Sequence, residues 1–176
     1  GEVLEVMPPS GNFIIKGDNK HIVGICAGSG VTPILSMIKT VLAQDSDNKF
    51  TLIYGNKTKD SSMFAAELLQ LHENNSDRFK IHNAYSREGV SGAINGRLDK
   101  NTIQQLLNTF RPIKTADAYF ICGPGELIDN ANELLLLNNI NQAKINFERF
   151  TVVEKEEVAD NAAVEIIANV MVSVDG

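Results

Sequence analysis

Apolar and polar positions along the chain fall into two alternating kinds of stretch. Short runs rich in apolar and β-branched residues, at 21–26, 50–54 (FTLIY), 79–84 (FKIHNA), 118–122 (AYFIC) and 144–148 (KINFE), predict strands. Between them, at 32–43, 62–74, 101–109 and 126–138, Leu, Ile, Met and Phe recur every three or four residues, which predicts helices with one buried stripe each. Asn101 followed by Gln104 has the spacing of a capping box at the start of the third helix. Residues 1–16 read as two short strand pieces around a Pro/Gly turn, too little to bury a core alone. From 151 to 163 the pattern turns polar and acidic, as in a linker, and 164–174 alternate loosely like strands of another domain. Both ends read as cuts through a longer protein.

Strands alternating with helices predict an α/β fold: a doubly wound, Rossmann-like parallel sheet of about five strands with helices on both faces. The expected organisation is a remnant of a preceding domain at 1–16, a nucleotide-binding domain at 17–150, a linker at 151–163 and the start of a further domain at 164–176. In such a sheet the first and fourth strands lie side by side, and ligands bind beyond their carboxyl ends. Those ends carry AGSGVTP at 27–33 and CGPG at 122–125. A strand that turns through small residues into a helix offers backbone N–H groups and a positive dipole end, a seat for phosphate. Gly28, Ser29, Gly30, Val31, Thr32 and Pro33 form the first candidate turn, Cys122, Gly123 and Pro124 the second. The first is neither a Walker A loop, since no Lys follows its glycines, nor a full G-x-G-x-x-G, since Pro33 stands at the third Gly.

Composition changes this picture in two places. A formal net charge of −6 argues against nucleic acid or an anionic membrane surface as partner, and no apolar run is long enough to span a bilayer. It also makes any local basic group informative. Cys26 and Cys122 are the two cysteines of the chain, without metal-ligand spacing, so free thiols in a reducing, cytoplasmic setting are expected and no metal site.

The basic group lies where a dinucleotide site would need it. An NAD site places an acid at the end of the second strand for the ribose hydroxyls. Here that end reads Tyr54-Gly55-Asn56-Lys57-Thr58-Lys59, with its first acid at Asp60, and the third strand ends in Ser86-Arg87, a hydroxyl beside a guanidinium. This set suggests the 2′-phosphate of NADP, with NAD the lesser alternative; ordinary solvated charges are the other reading. Cys122, ending an apolar strand, is either a small core residue or a polarisable contact for a nicotinamide ring. Cys26 reads as core. His21, His72 and His82 fall outside the cleft and read as structural. In Phe147-Glu148-Arg149-Phe150, alternation sends Phe147 and Arg149 to one side and Glu148 and Phe150 to the other, with core packing the default for both aromatics and an acid and an aromatic facing the cleft beside a second cofactor the alternative.

AGSGVTP, YGNK, SRE (Ser86 to Glu88), GRLD (Gly96 to Asp99), CGP and FERF, in this order, resemble the NADP-binding domain of ferredoxin-NADP reductase-like flavoproteins. The likeness is greatest to the reductase components of phenylacetyl-CoA epoxidase systems, ordered as flavin domain, NADP domain and [2Fe–2S] ferredoxin domain. It implies that 1–16 are the last strands of a flavin domain and that 164–176 open a ferredoxin domain. It further implies that 28–33 hold the pyrophosphate with Thr32 close to the nicotinamide, that Asn56 and Lys57 lie on the adenosine side, and that Ser86 and Arg87 bind the 2′-phosphate. Cys122 would lie near the nicotinamide C4, Gly123 and Pro124 would shape that end of the groove, and Phe150 would approach the isoalloxazine. Lys57 stands where the family often has Arg, and Gly125-Glu126-Leu127-Ile128 replace a more usual Met-containing turn.

No flavin-binding R-x-Y-S segment and no C-x₄-C-x₂-C cluster occur in the chain. The expectation is therefore an NADP(H)-binding fragment of an oxidoreductase, inactive alone, that in its parent passes hydride from NADPH to FAD and electrons through [2Fe–2S] to an oxygenase. A stand-alone nucleotide-sensing module is the alternative from another class. The reductase part of a flavohaemoglobin-like or aromatic dioxygenase system is the alternative within the enzymes.

Overall fold

The computed structural model describes residues 4–7, 10–44, 47–150 and 169–170. The chain divides into two compact units, Phe13–Phe150 and, separately, Gly1–Asn12 with Thr151–Gly176. In chain order the elements begin with β1 (Leu4–Glu5), β2 (His21–Ala27), α1 (Val31–Ala43), β3 (Lys49–Asn56), α2 (Ala65–Asn74), β4 (Phe79–Tyr85) and β5 (Ile94–Asn95). They continue with α3 (Lys100–Thr109), α4 (Arg111–Lys114), β6 (Ala118–Cys122), α5 (Gly125–Leu137), β7 (Ile145–Glu148) and β8 (Asn169–Val170). In the smaller unit β1 pairs antiparallel with β8, Leu4 opposite Val170. The readings of 151–163 as a linker and of 164–176 as a ferredoxin start lie outside the described residues, apart from the backbone of β8.

The larger unit is built on one parallel sheet of order β5-β4-β3-β2-β6-β7. Strand alternation divides its core. Val23 and Ile25 of β2, with Tyr119 and Ile121 of β6, face α3 and α5, where Ile103, Leu107, Ile128 and Leu135 are buried. Ile22 and Cys26, with Phe120 and Cys122, face α1 and α2, against Ile34, Ile38 and Leu68. Each such aliphatic side chain contributes about 1.5–3 kcal/mol on leaving water, so these two layers dominate the stability of the unit. Order changes direction at β2, which runs between β3 and β6, so the carboxyl ends of β2 and β6 form the switch point.

The five expected strands are all present, and among the described residues a sixth, β5, joins them, its two residues too short to show a period. Other expectations need correction. Residues 13–15 form no strand; Phe13 instead lies edge-on against Phe120 with ring centroids 5.4 Å apart, on the sheet's face and not at its edge. Helix α2 begins at Ala65 and not at 62, because the Thr58 and Ser61 hydroxyls bond to each other and the Ser61 and Ser62 hydroxyls donate to the Thr58 carbonyl, closing a local turn first. Phe147 and Phe150 are not core; they are 44% and 55% exposed, since β7 is the sheet's edge.

Helix α3 is capped by Asp99 and not through Asn101. An Asp99 oxygen accepts from the Thr102 N–H at 2.9 Å, and such bonds hold this carboxyl below its ordinary value. Asp99→Ala is expected to lower stability by about 1 kcal/mol in thermal or urea unfolding at pH 7. Because the folded value is depressed, this contribution is complete above the unfolded carboxylate pKa near 4 and fades as pH falls through the folded value. Wild type and variant should therefore converge once pH has fallen past the depressed folded value; an unchanged gap in acid would show that the loss has another cause.

Candidate nucleotide-binding groove

The two glycine turns meet at the switch point. β2 ends at Ala27 and passes through a single 3₁₀ turn, Gly28–Gly30, into α1; β6 ends at Cys122 and passes through Gly123 and Pro124 into α5. Cys26 and Cys122 are register partners, so the turns start level with each other. They touch at their base. A Cβ added to Gly30 would stand 2.2 Å from the Cys122 carbonyl oxygen and 2.8 Å from the Gly123 nitrogen, so only glycine lets the backbones approach this closely. Gly28 has φ of 53°, a left-handed conformation that bulkier residues resist, and nothing lies within 4 Å of where its Cβ would be.

The first turn is braced from below. The Tyr54 hydroxyl, near the end of β3, lies 3.3 Å from both the Gly28 and Met63 carbonyls, and burial pushes its pKa up to about 12, so it stays a neutral donor. Thr32 Oγ1 donates to the Ser29 carbonyl at 2.9 Å. The positive ends of α1 and α5, thirteen residues each, converge on this region, which favours an anion there.

Above the turns runs a groove of about 720 Å³, within the range of cofactor sites. Of the residues singled out in the sequence, Gly28, Ser29, Asn56, Lys57, Ser86, Arg87, Gly123, Pro124 and Phe150 line it. Strand ends far apart in sequence are brought into one surface by the parallel register of β2, β3, β4 and β6. Gly30, Val31, Thr32, Pro33 and Cys122 do not line it. Val31 is a core residue against the sheet, and Thr32 is exposed at the start of α1.

Cys122 is enclosed and not presented to a ligand. Alternation along β6 turns its side chain with Phe120 toward the α1 face, where it has no exposed surface. Burial, and secondarily the nearby Glu148 carboxylate, push its thiol up to about 11, so it is neither a thiolate nor a nucleophile at neutral pH. Cys26 is likewise buried and raised.

Ser61, Arg97, Asp99, Glu126 and Asn130 also line the groove, although no sequence pattern marked them as site residues. Arg97 and Asp99 belong to the GRLD motif, so the motif carried a signal, but no periodicity placed it near the groove. Lys57, Arg87 and Arg97 are the cations of the groove's lining, Lys57 and Arg87 on neighbouring strand ends, and make no ion pair among the described residues. At the end of β3, where an acid would accept ribose hydroxyls, stands neutral Asn56.

The histidines are elsewhere. His21 Nε2 bonds with Thr51 Oγ1 at 2.9 Å, His72 Nδ1 donates to the Phe79 carbonyl at 2.8 Å, and the His82 ring lies against Phe110. Burial lowers the pKa of His21 and of His82, keeping both neutral at pH 7. No group of three or more His, Cys, Asp or Glu among the described residues is placed to hold a metal. Two cysteines, both buried in the sheet, do not supply the thiolate set of a [2Fe–2S] cluster, so this chain's residues do not fit that group. No helix among the described residues is long and apolar enough to cross a membrane.

A doubly wound sheet with two glycine turns at its switch point and a groove beyond them defines a dinucleotide-binding α/β domain. A profile of the family described as oxidoreductase NAD-binding domain matches residues 25–133, and the chain belongs to that family. It is 35% identical over 154 residues to one of the subunits of 1,2-phenylacetyl-CoA epoxidase from Escherichia coli K12, covering 85% of this chain and 43% of that protein. It is 32% identical over 183 residues to the ferredoxin reductase component of 3-ketosteroid-9-alpha-monooxygenase of Rhodococcus rhodochrous, covering 100% of this chain and 49% of that protein. The chain thus spans about half the length of the curated relatives it matches. Among solved structures, the fold matches the flavohem-like FAD/NAD-binding domain of Vibrio cholerae nitric oxide dioxygenase at a TM-score of 0.69 and 22% identity, covering 81% of this chain and 56% of that one. Plasmodium falciparum ferredoxin-NADP+ reductase with 2′P-AMP matches at 0.66 and 18%, covering 80% and 58%. The fold is therefore that of the ferredoxin-NADP reductase-like nucleotide-binding domain, in an oxidoreductase family.

Proposed function

We propose that the chain is the NADP(H)-binding part of an oxidoreductase that works with a flavin (FAD) domain and a [2Fe–2S] ferredoxin domain to reduce an oxygenase partner in the cytoplasm. The observation that carries this reading is the cationic end of the groove: Ser86, Arg87 and Lys57 on the adjacent ends of β4 and β3, with Asn56 where an NAD site has an acid. The names of the relatives, an epoxidase subunit and the reductase component of a monooxygenase, support a partner of the oxygenase class. Phenylacetate breakdown is the setting that the first of these names suggests.

Bound NADPH supplies a hydride; this chain's residues bind, orient and exclude water. Within the 28–33 turn, Gly28 and Ser29 line the groove and would hold the pyrophosphate, braced by Tyr54 and preceding the α1 dipole, while Thr32 supports them through its bond to the Ser29 carbonyl. Ser86 and Arg87 hold the 2′-phosphate, and Asn56 and Lys57 flank the adenosine. Gly123 and Pro124 shape the other end. Cys122 acts there as a positioning residue, its carbonyl set against Gly30 and its side chain filling the layer beneath. Phe150, exposed at the groove's lining, would be the contact to a flavin ring.

Calorimetric titration of the chain with NADP+ and NAD+ tests this reading. NADP+ is expected to bind, and NAD+ more weakly. Binding of neither would overturn the groove assignment, and a preference for NAD+ would overturn the 2′-phosphate assignment alone.

A further inference from the structure

We infer that Glu88 is a positioning residue of the groove: its carboxylate clasps the Lys59 backbone N–H and so holds residues 57–62, which contribute Lys57 and Ser61 to the lining, as a fixed wall. This rests on the nucleotide reading above. Pairing of β3 with β4 carries on past the strand ends: the Ser86 N–H donates to the Asn56 carbonyl at 3.0 Å and the Arg87 N–H to the Lys57 carbonyl at 2.9 Å. The next link is a side chain, Glu88, which accepts from the Lys59 N–H. Beyond it the segment closes on itself. The Ser62 N–H donates to the Lys59 carbonyl at 3.0 Å, and the Ser61 hydroxyl donates to the Thr58 carbonyl at 2.9 Å. The Tyr54 hydroxyl, 3.3 Å from the Met63 carbonyl, holds the far end.

As a bare charge, an acid at this place works against an anionic ligand. Glu88 directly follows Arg87, a cation of the lining, yet forms no ion pair among the described residues. A carboxylate there lowers the local positive potential and repels a phosphate. Its half-buried position and its bond to a backbone N–H give it a different use. A charged acceptor makes a stronger bond than a neutral one, and it holds a segment that is exposed at Lys57, Lys59, Asp60 and Ser61. Released, that segment regains conformational freedom, and a ligand that needs the wall in place has to order it again, which lowers affinity. Repulsion and clasping therefore act on nucleotide binding with opposite signs. The sign of the change on removing Glu88 tells which one dominates.

The test compares wild type with Glu88→Ala and Glu88→Gln, reading amide hydrogen exchange at Lys59 and Ser62 by NMR and binding of NADP+ and NAD+ by calorimetry. In Glu88→Ala the Lys59 and Ser62 N–H protons are expected to exchange about tenfold faster, and NADP+ to bind about fivefold more weakly, although a negative charge has been removed from beside the groove. Glu88→Gln removes the same charge but keeps an acceptor oxygen, so it should recover most of both losses. Unchanged exchange in Glu88→Ala would overturn the clasp. NADP+ binding that holds or strengthens in Glu88→Ala would overturn the role of the wall, and so would losses as large in Glu88→Gln, since those follow the charge and not the bond. All three of these outcomes leave the NADP reading in place. Wild type that prefers NAD+ would overturn the 2′-phosphate assignment alone, the wall then being judged by the same comparison on NAD+. Wild type that binds neither nucleotide would overturn the groove assignment and the wall together. Matching melting temperatures would confirm that both variants are folded.

Discussion

Gly30→Ala is expected to be the most damaging single-methyl change in the two turns beneath the groove. The new Cβ would sit 2.2 Å from the Cys122 carbonyl oxygen, 2.5 Å from its carbon and 2.8 Å from the Gly123 nitrogen. All three are backbone atoms at the joined ends of β2 and β6, so no rotamer change makes room; the two turns have to separate. Overpacking of this kind costs about 1–3 kcal/mol. It also moves the start of α1 away from the anion it is aimed at, and losing one charge-assisted contact lowers affinity about tenfold or more. Urea unfolding together with NADP+ titration would read both effects. Gly125→Ala is the control, because a Cβ there meets only the flexible guanidinium of Arg149, at 3.2 Å. It should change stability by less than about 0.5 kcal/mol. If the two substitutions behave alike, contact between the turns is not what demands glycine at position 30.

Arg87→Ala should change which nucleotide is preferred, and leave the fold alone. The side chain is exposed at the end of β4 and forms no ion pair among the described residues, so its removal exposes no core and strands no buried partner. A guanidinium on a phosphate monoester makes charge-assisted, often bidentate bonds, each about twice as strong as a neutral one. Its loss is expected to weaken NADP+ binding by about tenfold to a hundredfold, with NAD+ binding nearly unchanged. An unchanged ratio of the two affinities would remove Arg87 from the site. This result is independent of the one for Gly30, since one substitution acts on the ribose phosphate and the other on the seat beneath the pyrophosphate.

Much of the site could be read because its residues sit at element ends. The change from strand to helix periodicity around 27–33 and 122–125 marks both turns. The parallel order then places Asn56, Lys57, Ser86 and Arg87 on the same edge. Arg97 escaped this logic because β5 has two residues and leaves no period to read. Cap assignment failed for a related reason: Asp99 and Asn101 are both good capping types, and only backbone geometry decides which side chain meets a free N–H. The direction of Cys122 depends on which face of β6 turns toward α1, while the groove opens at the strand ends.

By itself the sequence determined the alternation of strands and helices, hence the doubly wound sheet, and the glycines and cations at its ends. These follow from hydrophobic period and residue chemistry, which are local. Only the tertiary structure decided that Gly30 bears on the Cys122 carbonyl, that the Cys122 thiol is enclosed, that Phe147 and Phe150 are exposed and that Arg97 lines the same groove as Arg87. Each of those depends on register and packing between segments far apart in the chain, and local periodicity does not encode such distances.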